Sequence, residues 1–333
     1  VIQGSTGSPG IRCVYVCTGA VVRGVTLAQG HAKDADGGGA WCETGGMLSN
    51  CWITGNTADR HGGGVFSGLV TRCVISSNTS PHTGGGIYGG EFRNCDISRN
   101  QAAFGGGAGF GLGINSILRG NMTPGDGGGA YYSTLRHCTV VSNYALSWGG
   151  GVYGGTHVNC IVYRNQGSSS YPQWYSGWFT NCCTTPMPSG TGNFTDDPRL
   201  VDDTSLRLRS DSPCIDRGTN RAEVVCDYDG TARPLDGNGD GTNRCDVGAF
   251  EFVHATADSD HDGLPDDKEI LYFGDLVTSD GTGDFDGDHF RDADELAAGT
   301  NPTDPTSLLA ITLLGRTAPA ELAIAWMSVS NKR

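Results

Sequence analysis

The residues with the clearest chemistry lie in one short acidic stretch. Asp258, Asp260, Asp262, Leu264, Asp266 and Glu269 stand at positions 1, 3, 5, 7, 9 and 12 of a twelve-residue loop. Gly263 holds position 6, where such a loop must turn most sharply. Five carboxylates and the backbone carbonyl of Leu264 make a set of hard oxygens, the donors that suit calcium. Asp284, Asp286, Asp288, Phe290, Asp292 and Glu295 repeat the pattern, Phe290 again offering only its carbonyl. His289 replaces the glycine there, which is expected to strain the turn and weaken the site. Asp236, Asn238 and Asp240 begin a third pattern, but Val247 falls at its position 12, so it reads as a turn. Residues 258–304 hold 15 Asp or Glu against Lys268 and Arg291, a net of −13 out of −14 for the whole chain. Carboxylates at this density repel one another when bare. The segment is therefore expected to be loose without metal and rigid with calcium, a stiffened spacer.

Two other sets of residues could carry function. Asp34, Asp36, Asp59, Arg60 and His61 gather on neighbouring repeats. They offer carboxylates, an imidazole and a guanidinium for glycoside hydrolysis or for proton abstraction beside a uronate carboxyl. A polar loop edge is the simpler reading of the same residues. Trp41, Phe66, Tyr88, Tyr131 and Tyr153 each stand two places after a Gly-Gly-Gly triplet, with Gly109 in the one gap. The preceding Ala40, Val65, Ile87, Ala108, Ala130 and Val152 are expected to face inward, so the aromatics face outward. Such a ladder could stack sugar rings or pack against a protein surface. Trp174, Tyr175 and Trp178 interrupt the last repeat and read as a cap.

The elements that position these residues follow from three coincident ladders. Gly-Gly-Gly recurs at 37–39, 62–64, 84–86, 105–107, 127–129 and 149–151. Asparagine recurs at Asn56, Asn78, Asn100, Asn121, Asn143 and Asn165, and cysteine at Cys51, Cys73, Cys95, Cys138, Cys160 and Cys182, with Ser116 filling the gap. About 22 residues per unit, short alternating runs and no helical period describe one coil of a right-handed parallel β-helix, stacked at roughly 4.8 Å per coil. Cys-x-Ile or Cys-x-Val places both residues inward. In-register cysteines then have parallel Cα–Cβ vectors at about that spacing, too wide for a relaxed disulfide, so free thiols are expected in the stack. Of the seven remaining cysteines, Cys226 and Cys245 flank a Gly- and Asp-rich loop and make the best candidate bridge.

The instances "GGGIY", "GGGVY" and "GGGVF", with "ISSN", "ISRN" and "VVSN", resemble the repeats of polymorphic outer-membrane proteins and, more widely, the pectate-lyase-like β-helix superfamily. The stretch "DDPRLVDDTSLRLRSDSPCIDRGTN" followed by "CDVGAFE" is similar to the end of secreted bacterial β-helices of the choice-of-anchor kind. The acidic loops resemble thrombospondin type 3 calcium repeats more than a complete EF-hand pair. These resemblances imply an exported bacterial surface protein rather than a particular chemistry.

The expected architecture is all-β: a parallel β-helix with its cap region over 1–253, a calcium-binding module over 254–306, and the start of a β-sandwich over 307–333. Val1 opens the chain without a basic-then-apolar leader, so a signal peptide is expected to be already removed or not included. Arg333 is expected to stop the last module short. No run of apolar residues is long enough to span a membrane, and the acidic balance disfavours nucleic acid. Three functions remain: a structural or adhesive extracellular or cell-surface protein, a carbohydrate-active lyase or hydrolase, and a glycan-binding module. The first is favoured, with a polysaccharide, a surface protein or a second copy as partner.

Overall fold

The computed structural model describes residues 1–5, 10–167, 170–308, 310–318 and 321–327. Two compact units emerge: Val1–Pro234 with Arg244–Phe252, and Leu235–Asn243 with Val253–Arg333.

The first unit is a parallel β-solenoid whose coils stack in register. Its sheets contain nine, eight, eight and six strands, and every strand pairs with its counterpart one coil away. Register follows the repeat: Val65 pairs with Ile87, Val70 with Phe92, and Ile75 with Ile97. Inward positions Leu48, Cys51, Ile53, Val70, Cys73, Ile75, Phe92, Cys95 and Ile97 form one buried column. The alternation of strand side chains therefore does what the sequence pattern requires of it.

Three ladders hold the coils together. The Oδ1 of Asn100 accepts the backbone N–H of Asn78 at 3.0 Å and its Nδ2–H at 3.0 Å, while Asn100 Nδ2 donates to Ile75 O at 2.8 Å. The same links join Asn56, Asn121, Asn143 and Asn165. Gln173 ends the series by accepting from both nitrogens of Asn165. The glycines are coupled to this amide ladder by contact. A Cβ on Gly85 would lie 2.4 Å from Gln101 O, and one on Gly86 would lie 2.9 Å from Asn100 Nδ2. Gly84 meanwhile sits at φ +73°, where a side chain is strained.

The cysteines do more than fill space. Cys51 N–H donates to Cys73 Sγ at 3.3 Å, and the Cys73 thiol donates to Thr71 O at 3.2 Å. Ser116 takes over both roles in its coil, accepting from Cys95 N–H and donating to Ile114 O. The stack is thus a file of hydrogen-bonding hydroxyl-like groups, which explains why serine is the residue that fits its gap. No disulfide links any of the thirteen cysteines in this structure, and the expected Cys226–Cys245 bridge is not formed.

The outward face of one sheet changes character along the solenoid. Trp52 is 63% exposed, whereas Ile117, Val141, Ile161 and Cys183 are buried beneath Phe194, Leu200, Leu206, Leu208, Cys214, Ile215, Val247, Ala249 and Phe250. The segment that supplies this cover is fastened at the corner residues of successive coils. Asn94, Asn115, His137, Asn159 and Asn181 all have φ between 46° and 54°. Asn94 donates to Asp227 O, Asn115 to Cys226 O, Asn159 to Thr219 O and Asn181 to Arg217 O. His137 lies between Asn159 Nδ2 at 2.8 Å and the guanidinium of Arg233. Arg233 itself is ion-paired to Glu251 at 2.8 Å and donates to Gly248 O. Burial first, and the adjacent Arg233 charge second, hold the His137 pKa well below its usual value.

The second unit holds two short helices, α1 (Asp266–Tyr272) and α2 (Asp292–Ala298), and an antiparallel strand pair, Ala310–Ala318 with Glu321–Met327. No helix among the described residues is long and apolar enough to cross a membrane.

Candidate metal centres and the aromatic ladder

Each acidic loop runs directly into a helix, a feature the thrombospondin-like reading did not include. Position 9 of each loop is the first residue of α1 or α2, and position 12 lies in the same first turn. Residues three apart share a helix face, so Asp266 and Glu269, and likewise Asp292 and Glu295, all turn inward and are buried.

Position 1 organises each turn. Asp258 accepts the N–H of Asp262 at 3.2 Å and of Gly263 at 3.0 Å. Asp284 does the same for Asp288 at 3.1 Å and His289 at 2.9 Å. His289 adopts φ +80°, against +100° for Gly263, so histidine is accommodated in the left-handed region at the expected steric cost. Asp236 shows the same pattern with Asp240 and Gly241, without a carboxylate at position 12. It is a turn of the same shape.

The carboxylates at positions 1, 3 and 5 converge. Oxygens of Asp258, Asp260 and Asp262 lie within 4.8 Å of one another, as do those of Asp284, Asp286 and Asp288. Position 9 is engaged differently. Asp266 accepts from the N–H and hydroxyl of Ser259 at 2.7 and 2.6 Å, and Asp292 accepts from Ser279 Oγ and the Phe285 N–H. These serines, which sequence reasoning passed over, tie the start of each helix to its loop.

Position 12 is where the chemistry concentrates. Glu269 is fully buried and neither of its carboxylate oxygens has a hydrogen-bond partner among the described residues. Burial, then Asp262, Asp260, Asp266 and Asp258, push its pKa from 4.5 up to about 8. Glu295 leaves Oε2 unpartnered, and burial and the Asp288 and Asp286 charges raise its pKa to about 7 despite a hydrogen bond from Thr300. Asp286 Oδ2 and Asp288 Oδ2 are orphaned as well. A buried acceptor without a donor costs about 1–3 kcal/mol, more when charged. An all-oxygen set of this kind is satisfied by a hard divalent cation. Asp258, Asp260, Asp262, the Leu264 carbonyl and Glu269 would hold one ion, and Asp284, Asp286, Asp288, the Phe290 carbonyl and Glu295 a second.

On the solenoid, the aromatic residues form a continuous stack. Ring centroids are 4.7 Å apart from Tyr15 to Trp41, 5.9 Å to Phe66 and 5.4 Å to Tyr88. Tyr131, Tyr153 and Tyr175 continue at 5.3 and 5.4 Å. Ring planes within those two runs differ by only 10–23°. Gly109 does not break the column, because Phe110, at φ +57°, swings its ring between Tyr88 and Tyr131 at 5.7 and 5.6 Å. A Cβ on Gly109 would lie 2.4 Å from the Thr83 methyl, so no ring fits at the regular position. Within each run the ring faces are thus packed on one another, while Phe110 joins the two runs at interplanar angles of 59° and 82°.

The Asp34–His61 corner is brought together and is knitted into its loops. Asp59 accepts from His31 Nε2 at 2.6 Å and from the Asp34 N–H at 2.9 Å, and the His31 contact pulls its pKa down. Asp36 accepts the N–H of His61 at 2.9 Å, and burial lowers the pKa of His61.

Compared with family models, with curated proteins and with solved structures, the chain has no significant match in any of the three.

Proposed function

We propose that the chain is an extracellular or cell-surface structural protein, a β-solenoid joined to a calcium-dependent loop–helix module. The observation that carries this reading is Glu269, fully buried with both oxygens unpartnered and surrounded by four further carboxylates. No donor among the described residues meets its oxygens, and a divalent cation would satisfy the ionised group. Calcium is abundant outside cells, where even a weak loop such as the second one fills. The resemblances of the repeats to secreted β-helices, and of the acidic loops to thrombospondin type 3 repeats, point to the same location.

The solenoid supports the structural part. Its ladders are engaged in holding coils to coils, and the two runs of its aromatic column spend their ring faces on internal stacking. The edges of that column remain available for adhesion, to a protein surface, to a second copy or to the edge of a glycan. The carbohydrate-active alternative loses support at its best corner, where Asp36 and Asp59 accept loop N–H groups and Asp59 is held ionised.

Calorimetric titration of the chelator-treated protein with calcium, paired with limited proteolysis, tests the reading. Binding with protection of residues 254–306 is expected. No heat and no change in proteolysis would sink it.

A further inference from the structure

Cys182 and Cys183 are adjacent in sequence but face opposite ways. Cys182 closes the inward cysteine stack, its Sγ accepting the Cys160 N–H at 3.4 Å. Cys183 points outward into the second apolar cluster, where the covering segment brings Cys214 against it. Both are fully buried. Cys214 lies in the same buried cluster, where burial first and the neighbouring Cys183 thiol second raise its pKa, while the Cys183 thiol donates to Asp196 O at 3.2 Å.

The contrast with the stack is geometric. Stacked cysteines occupy equivalent places on successive coils, so their Cα–Cβ bonds run parallel and cannot converge to disulfide separation without moving the backbone. Cys183 and Cys214 come from unrelated elements, a solenoid strand and the loop that covers it, and are under no such constraint. Their neighbours in the cluster, Ile161, Phe194, Leu200 and Leu208, are apolar, and the polar groups beside the pair are Asp196 O at Cys183 and Ser212 at Cys214.

We propose that Cys183 and Cys214 are a disulfide-forming pair that fastens the covering segment to the last coil of the solenoid. The proposal rests on the extracellular reading for its natural setting. The oxidant is a small-molecule or protein disulfide. One cysteine thiolate attacks a sulfur of the oxidant, forming a mixed disulfide and releasing one thiol. The second cysteine then attacks the mixed disulfide and releases the other thiol, so the oxidant takes two electrons and the two protons lost by the pair. Burial pushes the Cys214 pKa well up. Exchange therefore belongs to folding, before the cluster closes, and the closed cluster then shields the bond from reductants.

The test is differential alkylation of the full chain, refolded with calcium in a buffer of oxidised and reduced glutathione. Free thiols are blocked with iodoacetamide in denaturant, then the protein is reduced, labelled with N-ethylmaleimide and mapped by mass spectrometry. Of the thirteen cysteines, only Cys183 and Cys214 are expected to carry the second label. Cys214→Ser is expected to return Cys183 to the first label. Iodoacetamide on both residues of the refolded wild type, or a second label that moves to Cys182 in the variant, would overturn the pair. The same map on protein exported to a bacterial periplasm separates this from the extracellular reading. Reduced thiols there, with the bond formed in glutathione, would count against that reading and leave the pair standing.

Discussion

Glu269→Gln is expected to stabilise the metal-free protein while abolishing the response of its loop to calcium. In the metal-free fold the Glu269 carboxyl has its pKa raised from 4.5 to about 8. Between those values the unfolded chain holds an ionised carboxylate and the folded chain a protonated one. Metal-free stability must therefore fall as pH rises through this window. At about 1.4 kcal/mol per pH step, the cost reaches roughly 4 kcal/mol at pH 7.5. Glutamine has the shape of the neutral acid and escapes that cost. A cation reverses the balance, because it binds the ionised form. Hydrogen exchange across residues 258–304, in chelator and in calcium, reads both effects locally. Wild type should exchange fast in chelator and slowly in calcium. The variant should be slower than wild type in chelator, and its first loop should gain nothing from calcium. Faster exchange of the variant in chelator would refute the reasoning, since it would mean that Glu269 contributes stability without metal.

The other predictions concern the solenoid. Gly85→Ala places a methyl 2.4 Å from Gln101 O, and loss of about 3 kcal/mol or more, or failure to fold, is expected in urea denaturation; a neutral result would contradict the coil spacing. Asn100→Ala strips partners from two buried donors of Asn78 and should cost about 2–5 kcal/mol by the same assay. Ser116→Cys restores the regular stack and should change stability by less than about 1 kcal/mol. His137 is kept neutral in the fold, so wild-type stability should drop as pH falls below about 6.5. His137→Asn, which puts there the residue found at Asn94, Asn115, Asn159 and Asn181, should flatten that part of the pH profile; an unchanged slope between pH 5 and 6.5 would remove His137 as its cause.

The coil was legible in the sequence because in-register stacking forces equivalent positions to solve the same problem. Asn56 through Asn165 each meet the same neighbours, so one residue type recurs, and Cys-x-Ile states its own orientation. What the repeat could not reveal were features produced by two coils together or by segments outside the period. Outward placement of Trp41, Phe66 and Tyr88 follows from alternation, yet their face-to-face stacking depends on the close approach of successive coils. Phe110 occupies the Gly109 gap only because Thr83 excludes a side chain there. The covering segment left no such mark, because the outward series Trp52, Val74, Asp96, Ile117, Thr139, Ile161 and Cys183 mixes apolar and polar residues, and only burial separates its two ends. In the acidic module the ligand spacing was plain, but α1 and α2 are seven residues each, too short to show an apolar period.

The cysteine file has a use beyond holding coils together. Nearly every coil carries one thiol that is sealed from solvent, and each is reactive only once its own coil opens. A solenoid loses structure by neighbour-dependent steps rather than all at once. Brief exposure to an alkylating reagent under mild denaturant would therefore write the order of opening into the chain, one mark per coil. Cys51, Cys73, Cys95, Cys138, Cys160 and Cys182 make the molecule its own recorder of where unravelling starts and how far it travels.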